Sequence, residues 1–345
     1  MGHSGHKDFA QLRKTTWAAL VGDMPGSVKA LELAGQSLAP STLKTYGWAF
    51  QKFLKYCNSQ KKVWTEVATS AGGMACFIGF LMDSKPPYKP VSIPSMLSAI
   101  YKVVVDSGLK KPEHALLLNI GQALKKAAAK EANNRAAFKS TTIAAIMAVC
   151  DSLQKRRMTR SHSTSDLRQK IRAQIQSGLA VTLGFVLMLR RSTVQAMQRR
   201  DLRFGSDGEL QVHLRFEKGK QKGRTLLVRG PVAEWVGNLI NFLPENQSAY
   251  LFDDFKELYG SDVQQMLTCW LTQLEVQPPI GMIWAWHSLR KGGATAAYHI
   301  GVQDIKLLNY GGWKTRESLT KSYIDFTHVG VPEDRLLLGF LRSDG

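Results

Sequence analysis

The sequence predicts a mainly α-helical protein of two domains, with a small antiparallel β-sheet confined to the second. Its 345 residues suffice for about two domains of ordinary size, and 44% of them are hydrophobic, enough for each to bury a core. Apolar residues recur at spacings of three and four through most of the chain, the period of a helix with one buried face. The period-two alternation of a half-buried strand stands out only at Glu209–Phe216, returning at Thr225–Val228.

Taken in order, residues 1–38 have weak periodicity and open with Gly2-His3-Ser4-Gly5-His6, which reads as a flexible N-terminal arm. From Ser41, placed as an N-cap, Leu43, Tyr46, Phe50, Phe53, Leu54 and Cys57 trace an apolar stripe. Lys44, Lys52 and Lys55 lie off it and give the helix a basic outer side. Further helices are expected over Thr65–Met82, Ser92–Asp106 and Glu113–Lys130, with Pro86, Pro87 and Pro90 breaking the chain after the first. These elements make a helical bundle over residues 39–132. Turn-prone and charged residues from Asn133 to Lys139 read as a linker, and a second domain over 140–345 begins with a helix capped by Thr141 or Thr142.

In that second domain Leu183, Leu187, Arg190, Val194 and Met197 follow helical spacing, which places Arg190 on the apolar stripe. An inward arginine needs an anion or a dense set of acceptors, because an unpaired buried charge is very costly. Arg191, on the flank, is the second choice. The two strands enclose Lys218-Gly219-Lys220-Gln221-Lys222-Gly223-Arg224, a basic turn able to reach into a groove. Beyond them, Leu336, Leu337, Leu338, Phe340 and Leu341 predict a short apolar helix over Arg335–Leu341.

Lys plus Arg total 46 against 27 Asp plus Glu, a net charge of +19. A charge that large favours a polyanionic partner, nucleic acid first, with a ribosome-like or membrane-surface protein as the alternative. The basic run Lys155–Arg160 fits a phosphate contact or a nuclear-import signal as well as a solvated loop. Cys57, Cys76, Cys150 and Cys269 have no C-x-x-C pairing, so neither a zinc site nor a disulfide framework is expected. The longest apolar run, Leu179–Leu189, is too short to span a bilayer, and the N-terminus has no secretory core, so an intracellular protein is expected.

The densest chemistry lies near the C-terminus. His287-Ser288-Leu289-Arg290, Gly311-Gly312-Trp313 and Tyr323 group a proton-handling imidazole, a permanent cation, an indole donor and a phenol. Phosphate chemistry uses such parts: a phenolate can be a nucleophile, arginine holds two phosphate oxygens with its planar fork, and an indole N–H only donates. His287 and Arg290, three apart near a helix start, face the same side. Gly292, Gly293, Ala294, Ala296 and Ala297 permit close packing of that helix. A lysine of the 218–224 turn can offer an ammonium to a leaving oxygen, with Lys218, Lys220 and Lys222 competing for the role.

Arg190, Lys218, His287-x-x-Arg290, Trp313 and Tyr323, in this order over roughly the last two hundred residues, resemble the catalytic domain of the tyrosine recombinases, the phage integrase family. The resemblance implies a clamp of an N-terminal core-binding domain and a helical catalytic domain closing on double-stranded DNA. It implies that Tyr323 forms a 3′-phosphotyrosyl link, with Arg190, Arg290, His287 and Trp313 stabilising the phosphoryl charge and Lys218 as general acid. It further implies site-specific recombination, integration or transposition without metal, ATP or other cofactor, by a homotetramer on two DNA sites. Lys44, Lys52, Lys55, Lys220, Lys222 and Arg224 are the expected DNA contacts. The His-Ser-Leu-Arg-x-Gly-Gly-Ala-Thr wording also resembles recombinases of eukaryotic mobile elements of the DIRS and Crypton types.

One departure concerns Thr193, where family members commonly carry an acid three residues after the first arginine. Two alternatives follow: a type IB topoisomerase, which shares such a site, and a DNA-binding protein whose recombinase site has decayed. In the family a C-terminal helix often docks on a neighbouring subunit, a fate open to residues 335–341.

Overall fold

The computed structural model describes residues 40–132, 135–159, 165–215, 223–260 and 262–341. The chain splits into two compact units, Met1–Asn133 and Asn134–Gly345.

The described part of the first unit is helical: α1 Pro40–Ser59, α2 Trp64–Thr69, α3 Ala71–Asp83, α4 Ile93–Asp106 and α5 Ala115–Ala132. Its core gathers Phe50, Phe53 and Cys57 of α1 with Met74, Phe77 and Leu81 of α3 and Ile93, Ile100 and Val103 of α4. The helix expected over Thr65–Met82 is divided. Ser70 is extended (φ −97°, ψ 130°) and its hydroxyl accepts from Gly73 N at 3.2 Å, ending α2 and capping α3. Lys44 and Lys55 are exposed, as their place off the stripe requires. Lys52 is half-buried, its ammonium 5.7 Å from the Tyr88 ring and 5.8 Å from Phe80.

The second unit is built around α6 Ser140–Thr159 and α7 Ser165–Val186, the latter buried at every position from Ile175 to its end. A three-stranded antiparallel sheet follows the short helix α8 Arg191–Gln195. Its order is β1 Leu202–Phe204, β2 Leu210–Leu214, β3 Arg224–Val228, with Val212 opposite both Leu202 and Leu226. The two longer strands match the alternating runs. β1 is one that sequence periodicity missed, since three residues hold no pattern. Then come α9 Pro231–Asn238, α10 Asp253–Tyr259, α11 Val263–Gln273, α12 Trp286–His299, α13 Asp304–Gly311, α14 Arg316–Tyr323 and α15 Pro332–Leu338.

Within the stretch 133–139, read from sequence as linker, Ala136 and Phe138 are buried while Arg135 and Lys139 are exposed. Phe138 lies in the core of this unit and donates its amide to Ser288 O at 3.0 Å. Helix α6 begins at Ser140, ahead of the expected threonine caps, and Ser140 Oγ donates to the buried Asp334 carboxylate at 2.5 Å. That carboxylate also accepts from Val331 N (3.0 Å) and pairs with His328 Nε2 (2.8 Å). These bonds, with the fully buried Leu337 and Leu338, seat the C-terminal helix in its own unit.

α7 ends in a way the sequence pattern conceals. Leu189 N bonds Gly184 O (3.0 Å) and Met188 N bonds Phe185 O (3.1 Å), a Schellman closure with Met188 in the left-handed region at φ 52°. Glycine usually fills that place, and a larger residue there costs roughly 1–2 kcal/mol. The stripe from Leu183 to Met197 therefore belongs to two helices. Arg190 stands in extended conformation between them (φ −72°, ψ 152°), not inside one helix as expected.

Candidate active site

α12 supplies two site residues, and its start is held from several directions. Trp286 N donates to Gln264 Oε1 at 2.7 Å, and Ser288 Oγ reaches back to accept from Ala285 N at 3.1 Å. The Trp286 indole donates to Leu189 O at 3.2 Å, tying the α12 start to the residue before Arg190. Gly293 lies against the Phe185 carbonyl and Gly292 against Phe138, where a side chain would not fit. The small-residue run thus lets α12 approach α7, as the sequence suggested.

Arg290 is 1% exposed. Its guanidinium donates to Met188 O and, at 2.7 Å, to Gly311 O, and lies 4.1 Å from the Trp313 ring. The left-handed turn at Met188 is what aims that carbonyl at the arginine. Arg190 donates to Gly312 O at 3.5 Å. Arg191, the second choice from sequence, pairs with Asp262 at 2.8 Å, both about half exposed.

The Gly311-Gly312-Trp313 run has a separate steric reason at each glycine. Gly312 ends α13 in the left-handed region (φ 69°, ψ 38°), which only glycine adopts without cost. Gly311 lies under the Trp313 indole, where even one methyl would overlap the ring. Trp313 is therefore folded back over its own helix end and meets Tyr323 edge-on at 4.9 Å between centroids. Its Nε1 is buried without a hydrogen-bond partner among the described residues. An indole N–H can only donate, so the chemistry open to this group is a hydrogen bond to an acceptor.

Tyr323 closes α14, which Thr315 caps by accepting from Ser318 N at 3.2 Å. Thr295 of α12 fixes the helix exit: its hydroxyl donates to Tyr323 O (2.9 Å) and accepts from Asp325 N (3.0 Å). The phenol oxygen lies 2.8 Å from His287 Nε2, and the Arg290 guanidinium 5.1 Å from the phenol ring. Burial first, then the charges of Arg135, Arg290 and Arg190, press the His287 pKa down to about 4. A neutral imidazole has one nitrogen free to accept a proton.

The structure thus brings together Arg190, His287, Arg290, Trp313 and Tyr323, taken from four stretches of sequence. Lys218, Lys220 and Lys222 lie outside the described residues, but both flanks of their turn are placed. Arg215 pairs with the buried Asp201 at 2.7 Å and donates to Ala196 O at 3.1 Å. Arg224, expected on DNA, donates to Asn309 O and, at 2.8 Å, to Tyr310 O, at the end of the helix that leads to Trp313. Thr193 is buried, and its hydroxyl has no hydrogen-bond partner among the described residues. The nearby buried acid, Asp201, serves Arg215. Sequence reasoning overlooked Thr295 and Arg135. A threonine inside a small-residue helix and an arginine in a turn-rich stretch carry no distinguishing signal.

No family model matches the sequence, and no curated protein does. Solved structures do. The pre-cleavage complex of the XerH site-specific recombinase with its difH substrate aligns over 93% of this chain and 93% of its own, with TM-score 0.55 and 11% identity. The XerH post-cleavage complex on palindromic difH aligns over 90% of both chains, with TM-score 0.54 and 10% identity. The chain therefore has the tyrosine recombinase fold, with the mainly helical architecture and small antiparallel sheet expected. These matches lend no support to a eukaryotic mobile-element origin. No described helix is long and apolar enough to cross a membrane. Among the described residues no group of three or more His, Cys, Asp or Glu is placed to hold a metal ion.

Proposed function

We propose that the protein is a tyrosine site-specific recombinase, which cuts and rejoins double-stranded DNA through a covalent phosphotyrosyl intermediate. The observation that carries this reading is the 2.8 Å contact of the Tyr323 phenol with a neutral His287, beside two arginines and an unsatisfied indole donor. The XerH-like fold and the net charge of +19 support it.

In this mechanism Tyr323 Oη attacks a backbone phosphorus and gives its proton to His287 Nε2. The bond from phosphorus to the 5′ oxygen breaks, and Lys218 gives that oxygen its proton. The phosphate stays on Tyr323 as a 3′-phosphotyrosyl diester. Arg190, Arg290 and the Trp313 N–H hold the non-bridging oxygens, where negative charge builds in the transition state. A 5′ hydroxyl from a partner strand then reverses each step. One diester replaces another, so the bond energy is retained and no ATP is consumed. Strand exchange needs two DNA sites, which a homotetramer would hold, and Lys44, Lys52, Lys55, Lys220 and Lys222 would meet the phosphate backbone.

The test uses DNA sites selected by the protein from a random pool, rebuilt as nicked duplexes from which the freed 5′ end diffuses away. The wild-type protein should accumulate a covalent adduct. Tyr323→Phe should bind the same duplex with unchanged affinity and form none. Adduct persisting in that variant would move the nucleophile elsewhere, and binding without adduct in the wild type would favour a decayed DNA-binding protein.

A further inference from the structure

Arg135 has no part in the mechanism above, although the fold brings it to the active site. It forms a parallel backbone bridge with Ile283, three residues ahead of α12, and its carbonyl accepts from Lys291 Nζ at 3.2 Å. Phe138 N bonds Ser288 O at 3.0 Å. The strand-like stretch 135–138 is thus laid along the first turns of α12 and flanks His287 from both sides in sequence. Arg135 is exposed, and among the described residues its guanidinium has neither a hydrogen bond nor an ion pair. A cation held by its backbone in this way, yet without a partner for its charge among the described residues, suits an external anion.

Two electrostatic contacts locate it. After burial, Arg135 is the largest influence opposing a proton on His287, ahead of Arg290 and Arg190. Lys291, which holds the Arg135 carbonyl, acts on Asp325, two residues beyond Tyr323. The backbone bonds to Ile283 and Ser288 thus set the exposed Arg135 beside His287, and Lys291 lies against the Arg135 carbonyl.

We propose that Arg135, with Lys291 beside it, forms a second phosphate-binding subsite next to His287, which takes a phosphodiester of the attacked DNA strand adjacent to the one Tyr323 engages. Such a contact would fix the strand on the open side of the site, while Arg190 and Arg290 hold the reacting phosphate from within. The subsite rests on the recombinase reading for its ligand, but its geometry can be tested without catalysis.

The charged and titratable groups acting on His287 among the described residues are Arg135 ahead of α6, Arg290 of α12, Arg190 ahead of α8 and Tyr323 of α14. Arg135→Gln removes one of them at an exposed position, and Arg135→Lys keeps the charge. In the free protein, NMR titration should place the His287 midpoint higher in Arg135→Gln than in wild type, and Arg135→Lys should return it towards the wild-type value. On a selected duplex, the slope of log affinity against log salt should become shallower by about 0.9 in Arg135→Gln, the loss of one phosphate contact, and recover in Arg135→Lys. An unchanged slope in Arg135→Gln, or an unmoved His287 midpoint, overturns the subsite. Failure of the wild-type protein to bind DNA at all would instead overturn the recombinase reading and leave the titration result standing.

Discussion

Replacing Gly311 by alanine separates the geometry of the candidate site from its chemistry, because the added methyl meets the carbon edge of the Trp313 indole and removes no polar group. A methyl there would overlap three ring carbons of Trp313, and even the most distant, Cη2, would be only 2.5 Å away. Relaxed carbon pairs sit at about 3.5–4.0 Å, and the nearest ring carbon, Cζ3, would lie only 1.7 Å from the methyl, so the indole edge must retreat by roughly 2 Å. The ring cannot retreat freely, since it is 9% exposed and packed on Arg290 and Tyr323. Overpacking of this kind costs about 1–3 kcal/mol, and alanine's better helix propensity offsets up to about 1 kcal/mol. For a unit of this size the net loss of about 0–3 kcal/mol lowers the melting temperature by no more than about 12 °C. Adduct formation should fall much further, by about 10²-fold or more, because a displacement of about 1 Å at a catalytic group can already cost that much. Single-turnover adduct formation on a nicked duplex reads the rate, and calorimetry reads the stability. The decisive comparison is epistatic: in a Trp313→Ala background the same substitution meets no ring and should cost almost nothing more. Equal losses in both backgrounds would refute the steric coupling of Gly311 to Trp313.

The remaining predictions concern the charged groups. Arg290→Ala should lose about 10²-fold or more in adduct formation and also melt earlier, since the Met188 and Gly311 carbonyls lose their donor at about 1–3 kcal/mol each. Arg190→Ala should lose a similar rate with a smaller melting shift, and EDTA should leave wild-type activity unchanged; strong inhibition by EDTA would favour a metal nuclease. By NMR, His287 in the free protein should titrate near about 4 and move upward when a DNA phosphate offsets the arginine charges; a free-protein midpoint at the ordinary value near about 6.5 would contradict the burial described. Because the folded value lies below the unfolded one, the unfolded chain takes up the proton first as pH falls through that window, so stability should drop there and His287→Gln should lessen the drop. Lys218→Ala should be slow on ordinary DNA yet nearly normal on a 5′-bridging phosphorothioate, whose sulfur leaves without an acid. Lys220→Ala and Lys222→Ala should instead flatten the salt dependence of binding, and sulfur rescue of Lys220→Ala alone would reassign the general acid.

Periodic burial is a local property, and the helices it predicts in the first unit recur with ends shifted by a few residues, except that the one over Thr65–Met82 breaks at Ser70. His287 and Arg290 were legible for the same reason, since helical spacing dictates that residues three apart share a face. Charge and composition pointed to a polyanion without any folding at all. What the sequence could not determine depended on single backbone choices and on distant contacts. Met188 takes a left-handed conformation at a place where glycine would have signalled a helix end, so Arg190 read as part of a continuous stripe. β1 is too short to hold a pattern and exists because Leu202 meets Val212 across the sheet. Arg224 resembles any exposed basic residue of a turn until the end of α13 is brought under its guanidinium. Arg135 lay in a stretch of polar turn formers, and only the bridge to Ile283, far along the chain, carries it to His287. Local sequence determines which face an element buries, whereas the partner that covers that face is settled by the packing of the whole unit.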